Sequence, residues 1–236
     1  MIPLYDRNPT RRFPIVTTTL IVTCFLVFAY ELSITMGSAG DAGLERFFDS
    51  WGAVPSKISA ALGEGRFLSQ ATLGIVTSIF LHGGWLHILG NMLFLWIFGN
   101  NVENRLGRLP FLVFYLVGGI VAALTQVWID PSSNQPLVGA SGAIAAALGA
   151  YIVLFPGARI LSLVFLGFFY QLLEVPALVI LGFWFVLQLI SGFTSLGAET
   201  AQGGVAFFAH IGGFAFGMVV GAFLRAGRAV VPSRSA

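Results

Sequence analysis

The sequence predicts an all-α membrane protein, a bundle of six transmembrane helices, and three observations carry that prediction. Hydrophobic residues make up 57% of the 236 positions and charged residues only 9%, where a soluble domain holds roughly a quarter charged residues. Mean hydropathy is accordingly +0.89. Apolar runs that can cross about 30 Å of hydrocarbon, at about 20 residues each, recur six times. Basic residues gather at alternate ends of those runs.

The first run covers residues 14–36 and lacks a small-residue cleavage site, so it reads as a retained anchor. Its Cys24, the only cysteine, reads as a buried thiol and leaves no partner for an internal disulfide or a cysteine metal cluster. Residues 37–71 mix charges with Phe47, Phe48, Trp51 and Val54, a composition suited to lying against the membrane interface. The second, third and fourth runs cover 81–100, 109–129 and 137–155. Residues 160–170 are apolar but short, and Glu174 and Pro176 separate them from the fifth run, 176–190. They read as an interfacial segment or a lead-in, with Pro176 starting the next helix and a seventh span as the alternative. A glycine-bearing outer loop, 191–204, precedes the sixth run at 205–225. The chain thus divides into a tail (1–13), one membrane domain (14–225) and a second tail (226–236). It shows no internal repeat of the transporter kind.

Six spans with both ends in the cytoplasm put Arg7, Arg11, Arg12, Arg105, Arg108, Arg159, Arg225, Arg228 and Arg234 on the inner side. Only Arg46, Lys57 and Arg66 fall outside, among Asp41, Glu45, Asp49 and Glu64. Lysine and arginine near span ends are retained in the cytoplasm, so this orientation wins. The net charge of +2 is spread over juxtamembrane positions and forms no nucleic-acid patch.

Small residues then indicate which helices meet. Ser141, Ala145 and Gly149 follow one another at spacings of four on the fourth helix. His210, Gly213, Gly217 and Gly221 lie within about 60° of one another on the sixth, at 100° per residue. Helices in lipid associate where small residues permit backbone contact, so these stripes are natural partners. Ser141 and His210 each fall about four to six positions inside the outer ends of their runs, a depth on the order of 6–9 Å. On the second helix His87 and Asn91, four apart, share a face at similar depth. Ionisable and polar groups inside a membrane turn toward a partner or a wet cavity, and these four converge on one outward-facing cavity.

That set has a chemistry. A serine hydroxyl attacks a carbonyl once an imidazole takes its proton, and the imidazole returns the proton to the leaving amine. Ser141 and His210 are the candidate pair. Asn91, His87 and the Ser141 backbone N–H are donors of the kind that stabilise an oxyanion. The outer halves of these helices hold no Asp or Glu, so no acidic third member is expected. Singly, each residue also fits a plain packing or interhelical hydrogen-bonding role. His82 does not share the face of His87 and reads as support near the outer interface. Glu103, with Arg105 and Gly107, lies at the inner end of the second helix and reads as a local ion pair or cap. Glu174 and Asp130 read as loop or interface residues. Three histidines without a His-Glu-x-x-His pattern or a cysteine pair give no metal site. Nor does the Gly-x-Ser-x-Gly elbow of soluble hydrolases fit, because Ala143 stands at its last glycine.

Four motifs together resemble the rhomboid family of intramembrane serine proteases, over nearly the whole chain. His82-Gly-Gly-Trp-Leu-His87-Ile-Leu-Gly-Asn91 is similar to the family's second-helix motif, and Gly139-Ala-Ser141-Gly142 to its nucleophile motif. Ala209-His210-Ile-Gly-Gly213-Phe-Ala-Phe-Gly217 resembles its histidine and Gly-x-x-x-Gly helix, and Glu103-Asn-Arg-Leu-Gly107 its structural glutamate turn. The resemblance implies a rhomboid-like six-helix core, a Ser141–His210 dyad, an oxyanion site of His87, Asn91 and the Ser141 amide, and no cofactor. It also implies that the substrates are single-span membrane proteins, cut in or near the transmembrane segment at a small residue. Residues 191–204 would then serve as a gate.

Two positions depart from the family's bacterial pattern. Ala145 stands where many members carry an aromatic residue stacked on the histidine, which leaves open what orients His210. Leu73 and Gly74 stand where many carry a Trp-Arg pair in the first loop. Inactive relatives lack the serine or the histidine, and this chain keeps both. A non-catalytic protein that binds transmembrane helices and directs their folding or degradation is the alternative. A transporter or channel ranks third, since the polar residues cluster at one depth instead of tracing a path across. Short tails and the lack of an organelle-targeting segment point to a bacterial cytoplasmic membrane, with an inner organelle membrane as the other option.

Overall fold

A computed structural model describes residues 1–8, 10, 12–166, 169–195 and 206–229. In chain order the elements are β1 (Ile2–Asp6), α1 (Ile15–Met36), α2 (Gly40–Trp51), α3 (Pro55–Gly63), α4 (Gln70–Thr77), α5 (Trp85–Phe94), α6 (Asn100–Leu106), α7 (Arg108–Ile129), α8 (Ser141–Leu154), β2 (Arg159–Leu166), β3 (Phe169–Pro176), α9 (Ala177–Ser195) and α10 (Phe207–Ala229). α1, α7, α9 and α10 are each long and apolar enough to cross a membrane alone. The second run becomes α5 and α6 joined by one π-helical turn, Leu95–Gly99. It is bent by 76° from the segment that carries α4. The fourth run becomes α8, with 14 residues, about 21 Å long against about 30 Å of hydrocarbon. The architecture is the all-α membrane bundle that hydropathy predicts, with one small sheet added.

α8 lies at the centre of the bundle, buried along Ala143–Tyr151. It fits there because its side chains are small and because α10 approaches through glycine. A Cβ at Gly213, Gly217 or Gly149 would overlap the carbonyl oxygen of Gly142, Ala146 or Phe214 respectively, and one at Gly221 would stand 3.1 Å from Ala150 O. The two stripes do dock, but the face α8 turns to α10 is Gly142, Ala146, Gly149 and Ala150. Ser141 sits to one side of that seam.

The sheet corrects two expectations. Of residues 160–170, expected to be interfacial or a lead-in, 160–166 and 169–170 belong to the antiparallel strands β2 and β3, and residues 2–6 of the expected tail pair with β2. Period-two burial of Ile160 and Ser162 shows the reason: this apolar run alternates faces along an extended chain. The strand order is β1-β2-β3. β1 is also tied by its last side chain. Asp6 accepts hydrogen bonds from Asn101 Nδ2 at 2.6 Å, Tyr151 Oη at 2.6 Å and Asn8 N at 2.8 Å. Burial nonetheless raises the Asp6 carboxyl above its ordinary range, opposed by those three bonds. Arg7 and Glu174 close the sheet edge with an ion pair of 2.8 Å.

Glu103 is buried and does not pair locally. Its carboxylate reaches the head of α1, where it accepts from Val16 N at 3.0 Å, Thr17 N at 2.7 Å and Thr17 Oγ1 at 2.7 Å. Pro14 precedes that helix and offers no side-chain cap, so a residue from another span does the capping. At the opposite end, the 37–71 loop folds into α2 and α3 and the start of α4. An isolated bridge between Ala53 and Leu137 fastens it to the segment leading into α8.

Candidate active site

Ser141 is the first residue of α8, not a residue several positions inside the helix. The segment before it dips into the bundle: Gly139 donates to Ser78 O at 2.9 Å and holds φ +126°, which favours glycine. A short helix that begins late submerges the serine. The first bond of α8 runs from Ile144 N to Ala140 O, so the N–H of Ser141 lies in the turn whose donors have no helical acceptor.

His210 is the fourth residue of α10. Its Nε2 lies 2.7 Å from Ser141 Oγ. The first turn of α10 is held from α7, because Gln126 Oε1 accepts from Ala209 N at 3.3 Å. The other imidazole nitrogen is also engaged: Nδ1 lies 2.8 Å from Gln188 Oε1 on α9. Trp184, one turn earlier on α9, sets its ring 5.8 Å from the imidazole at 39°. Ala145 is buried within α8 and supplies no ring; α9 supplies one in its place. The sequence expectation confined the site to the second, fourth and sixth helices and so missed Gln188, although a polar side chain inside an apolar span is a signal of its own.

His87 and Asn91 share one face of α5 and point at the strand of chain entering α8. A Cβ at Gly139 would stand 2.7 Å from His87 Nε2 and 3.5 Å from Asn91 Nδ2. Gly83 N donates to His87 Nδ1 at 3.3 Å, so the ring hydrogen of neutral His87 sits on Nε2, facing the site. Asn91 Nδ2 is buried and has no hydrogen-bond partner among the described residues. Both donors are therefore free for an incoming oxygen. A cavity of about 290 Å³ lies against them, lined by His87, Asn91, Ser141, Ile144, Leu148, Trp184 and His210 among others. A second, of about 40 Å³, also borders Ser141, room for a water molecule.

His82 is buried, its ring 5.3 Å from that of His87 at 63°. Its backbone N–H donates to the Glu31 carboxylate at 3.2 and 3.4 Å. Glu31, a buried acid in α1, is missing from the sequence expectation for the same reason as Gln188. Gly142 packs on Ala122, where a Cβ would stand 2.6 Å from the alanine methyl. Gly213 and Gly217 hold the α8–α10 contact already described. Of the expected gate, residues 191–195 close α9, and 196–204 lie outside the described residues. Among the described residues no group of His, Cys, Asp and Glu is arranged to hold a metal ion.

A partly buried serine and histidine at hydrogen-bond distance, at the heads of two helices joined backbone to backbone, define a membrane-embedded site with the makings of a hydrolase. Residues 69–227 match the family model described as the Rhomboid domain. That is more than half of the chain, which therefore belongs to the rhomboid family. The chain is 30% identical to "Rhomboid protein 1, mitochondrial" of Saccharomyces cerevisiae, over 64% of this chain and 42% of that one. It is 30% identical to "Rhomboid protease GluP" of Bacillus subtilis, over 57% and 24% respectively. To "Rhomboid-like protein 11, chloroplastic" of Arabidopsis thaliana it is 41% identical over 29% of this chain and 24% of the relative. The matches thus span less than half the length of these curated relatives.

Proposed function

We propose that this chain is an intramembrane serine endopeptidase that cuts transmembrane segments of single-span membrane proteins. The observation that carries the reading is the 2.7 Å contact between Ser141 Oγ and His210 Nε2 beside two unspent donors. Ser141 Oγ attacks the scissile carbonyl carbon while its proton passes to Nε2. Asn91 Nδ2, His87 Nε2 and the Ser141 N–H receive the oxyanion. Collapse of that intermediate breaks the C–N bond, and the amine leaves with the proton from Nε2. Water then attacks the acyl ester, giving a proton to Nε2; the ester bond breaks, and Ser141 regains its hydrogen. The chemistry calls on no cofactor and no metal.

The apolar walls of the larger cavity, Ile144, Leu148 and Trp184, support this substrate class, since they suit an unwound transmembrane segment in contact with lipid. The distribution of arginine supports an orientation with both ends of the 14–225 membrane domain, and both flanking tails, on the cytoplasmic side of a bacterial inner membrane. In that orientation Ser141 opens toward the outer face and the sheet lies inside.

The test is cleavage of a panel of single-span reporters by purified protein in liposomes, beside Ser141→Ala and His210→Ala. Cutting by the parent alone supports the protease. Labelling of Ser141 by a serine-reactive phosphonate without any cutting shows a competent enzyme offered the wrong reporters. Neither cutting nor labelling refutes the reading and favours a protein that binds transmembrane helices without catalysis.

A further inference from the structure

We infer that Gln188 is a positioning residue of the site, whose side-chain carbonyl fixes His210 in the tautomer with hydrogen on Nδ1 and the free lone pair on Nε2. The inference rests on the hydrolase reading above. Both ring nitrogens of His210 are engaged, Nδ1 with Gln188 Oε1 at 2.8 Å and Nε2 with Ser141 Oγ at 2.7 Å. A carboxamide oxygen only accepts, so Nδ1 must donate; Nε2 then accepts, and the serine hydroxyl donates. That is the one arrangement in which His210 takes the serine proton. With the tautomers reversed, Nε2–H would point at Oγ and no base would be present.

A neutral partner suits the location. A carboxylate at this place would have to be stripped of water inside a membrane span, which is costly for any ion, whereas a carboxamide sets the same tautomer without a net charge. Trp184 and Gln188 are four apart on α9 and share a face. One lies beside the imidazole ring and the other meets its edge, so one helix fixes both the tilt and the protonation pattern of the base. This answers what takes over at Ala145: orientation comes from a different span. α9 is also the least embedded of the four long spans, 22% buried against 39% for α7. The base is therefore set only while α9 is docked on α10.

The test compares Gln188→Met, which keeps the shape and removes the acceptor, with Gln188→Glu, which keeps the acceptor. Equal folded amounts are matched by thermal melting. Cleavage by Gln188→Met is expected to fall roughly 10- to 100-fold in kcat at constant KM, with Gln188→Glu recovering most of the loss. Independently of activity, 15N spectra of protein labelled at its three histidines are expected to show His210 as a single Nδ1–H form in the parent and a mixture in Gln188→Met. An unchanged kcat together with an unchanged His210 spectrum in Gln188→Met overturns the inference. If the parent neither cuts nor labels at Ser141, the hydrolase reading falls, and the spectra still decide whether Gln188 sets the tautomer.

Discussion

Replacing Gly217 by alanine adds one methyl where α10 and α8 run closest. On the observed backbone that carbon would lie 2.7 Å from the Ala146 carbonyl carbon and 2.9 Å from its Cα, and nearer still to the carbonyl oxygen. Non-bonded carbons rest about 3.5–4.0 Å apart, so the helices must separate by about 1 Å. The obstructing atoms belong to the backbone, and no rotamer change relieves them. Overpacking of this kind costs about 1–3 kcal/mol. The same separation acts on the site, since His210 lies two turns earlier on the same helix, about 10 Å away. A displacement of about 1 Å at reacting groups lowers turnover on the order of 100-fold. The assay pairs thermal unfolding in detergent with reporter cleavage at equal folded amounts, and Gly217→Val should be worse on both counts. A Gly217→Ala protein within about 0.5 kcal/mol of the parent that cuts at the parental rate would refute the claim that this seam sets the Ser141–His210 distance.

Three further outcomes follow from the geometry. Asn91→Ala should lower kcat by about 100- to 1,000-fold, as removal of an oxyanion donor does, while phosphonate labelling of Ser141 persists at a reduced rate; unchanged cleavage would remove Asn91 from the site. Glu103→Ala leaves the Val16 and Thr17 backbone donors unpaired, at about 1–3 kcal/mol each. A stability loss of about 2–6 kcal/mol is therefore expected in unfolding, with Glu103→Gln intermediate, and no loss would mean that the α1 cap is dispensable. Because burial raises the Asp6 carboxyl, the folded state favours its protonated form. Its contribution is complete below the ordinary aspartate value of about 3.9 and is lost as pH rises through the raised one. Asp6→Asn should flatten the decline in melting temperature over that interval, and an identical slope would refute the assignment.

Length and hydropathy sufficed for the four long spans α1, α7, α9 and α10, because crossing lipid demands a long apolar run whatever its neighbours are. The approach of Ser141 to His210 was legible through Gly213, Gly217 and Gly149, since small residues at helical spacing inside a membrane mark where two helix backbones touch. Gln188 and Glu31 were not legible as partners: each is a single polar residue in an apolar helix, and which neighbour it meets depends on helix rotation. β1 was hidden because five residues carry too little pattern when their partner strand lies more than 150 positions away. The late start of α8 was hidden too, because the 137–140 segment is apolar enough to read as helix while Gly139 and the bridge to Ala53 hold it extended.

The pairing of β1 with β2 also sets an order of assembly. Asp6 aligns with Ile160, so the partner strand leaves the ribosome roughly 8–30 seconds after the first, at about 5–20 residues per second. Throughout that interval residues 2–6 cannot close on anything, and Asp6 stays hydrated and charged. The strand gives no help to the insertion of α1, and its closure must carry a loop of more than 150 residues. It engages only after α1 to α8 have been made and the hairpin ahead of α9 has formed. β1 is thus a latch thrown at a late stage, which fastens the chain ahead of α1 to the connection that introduces α9.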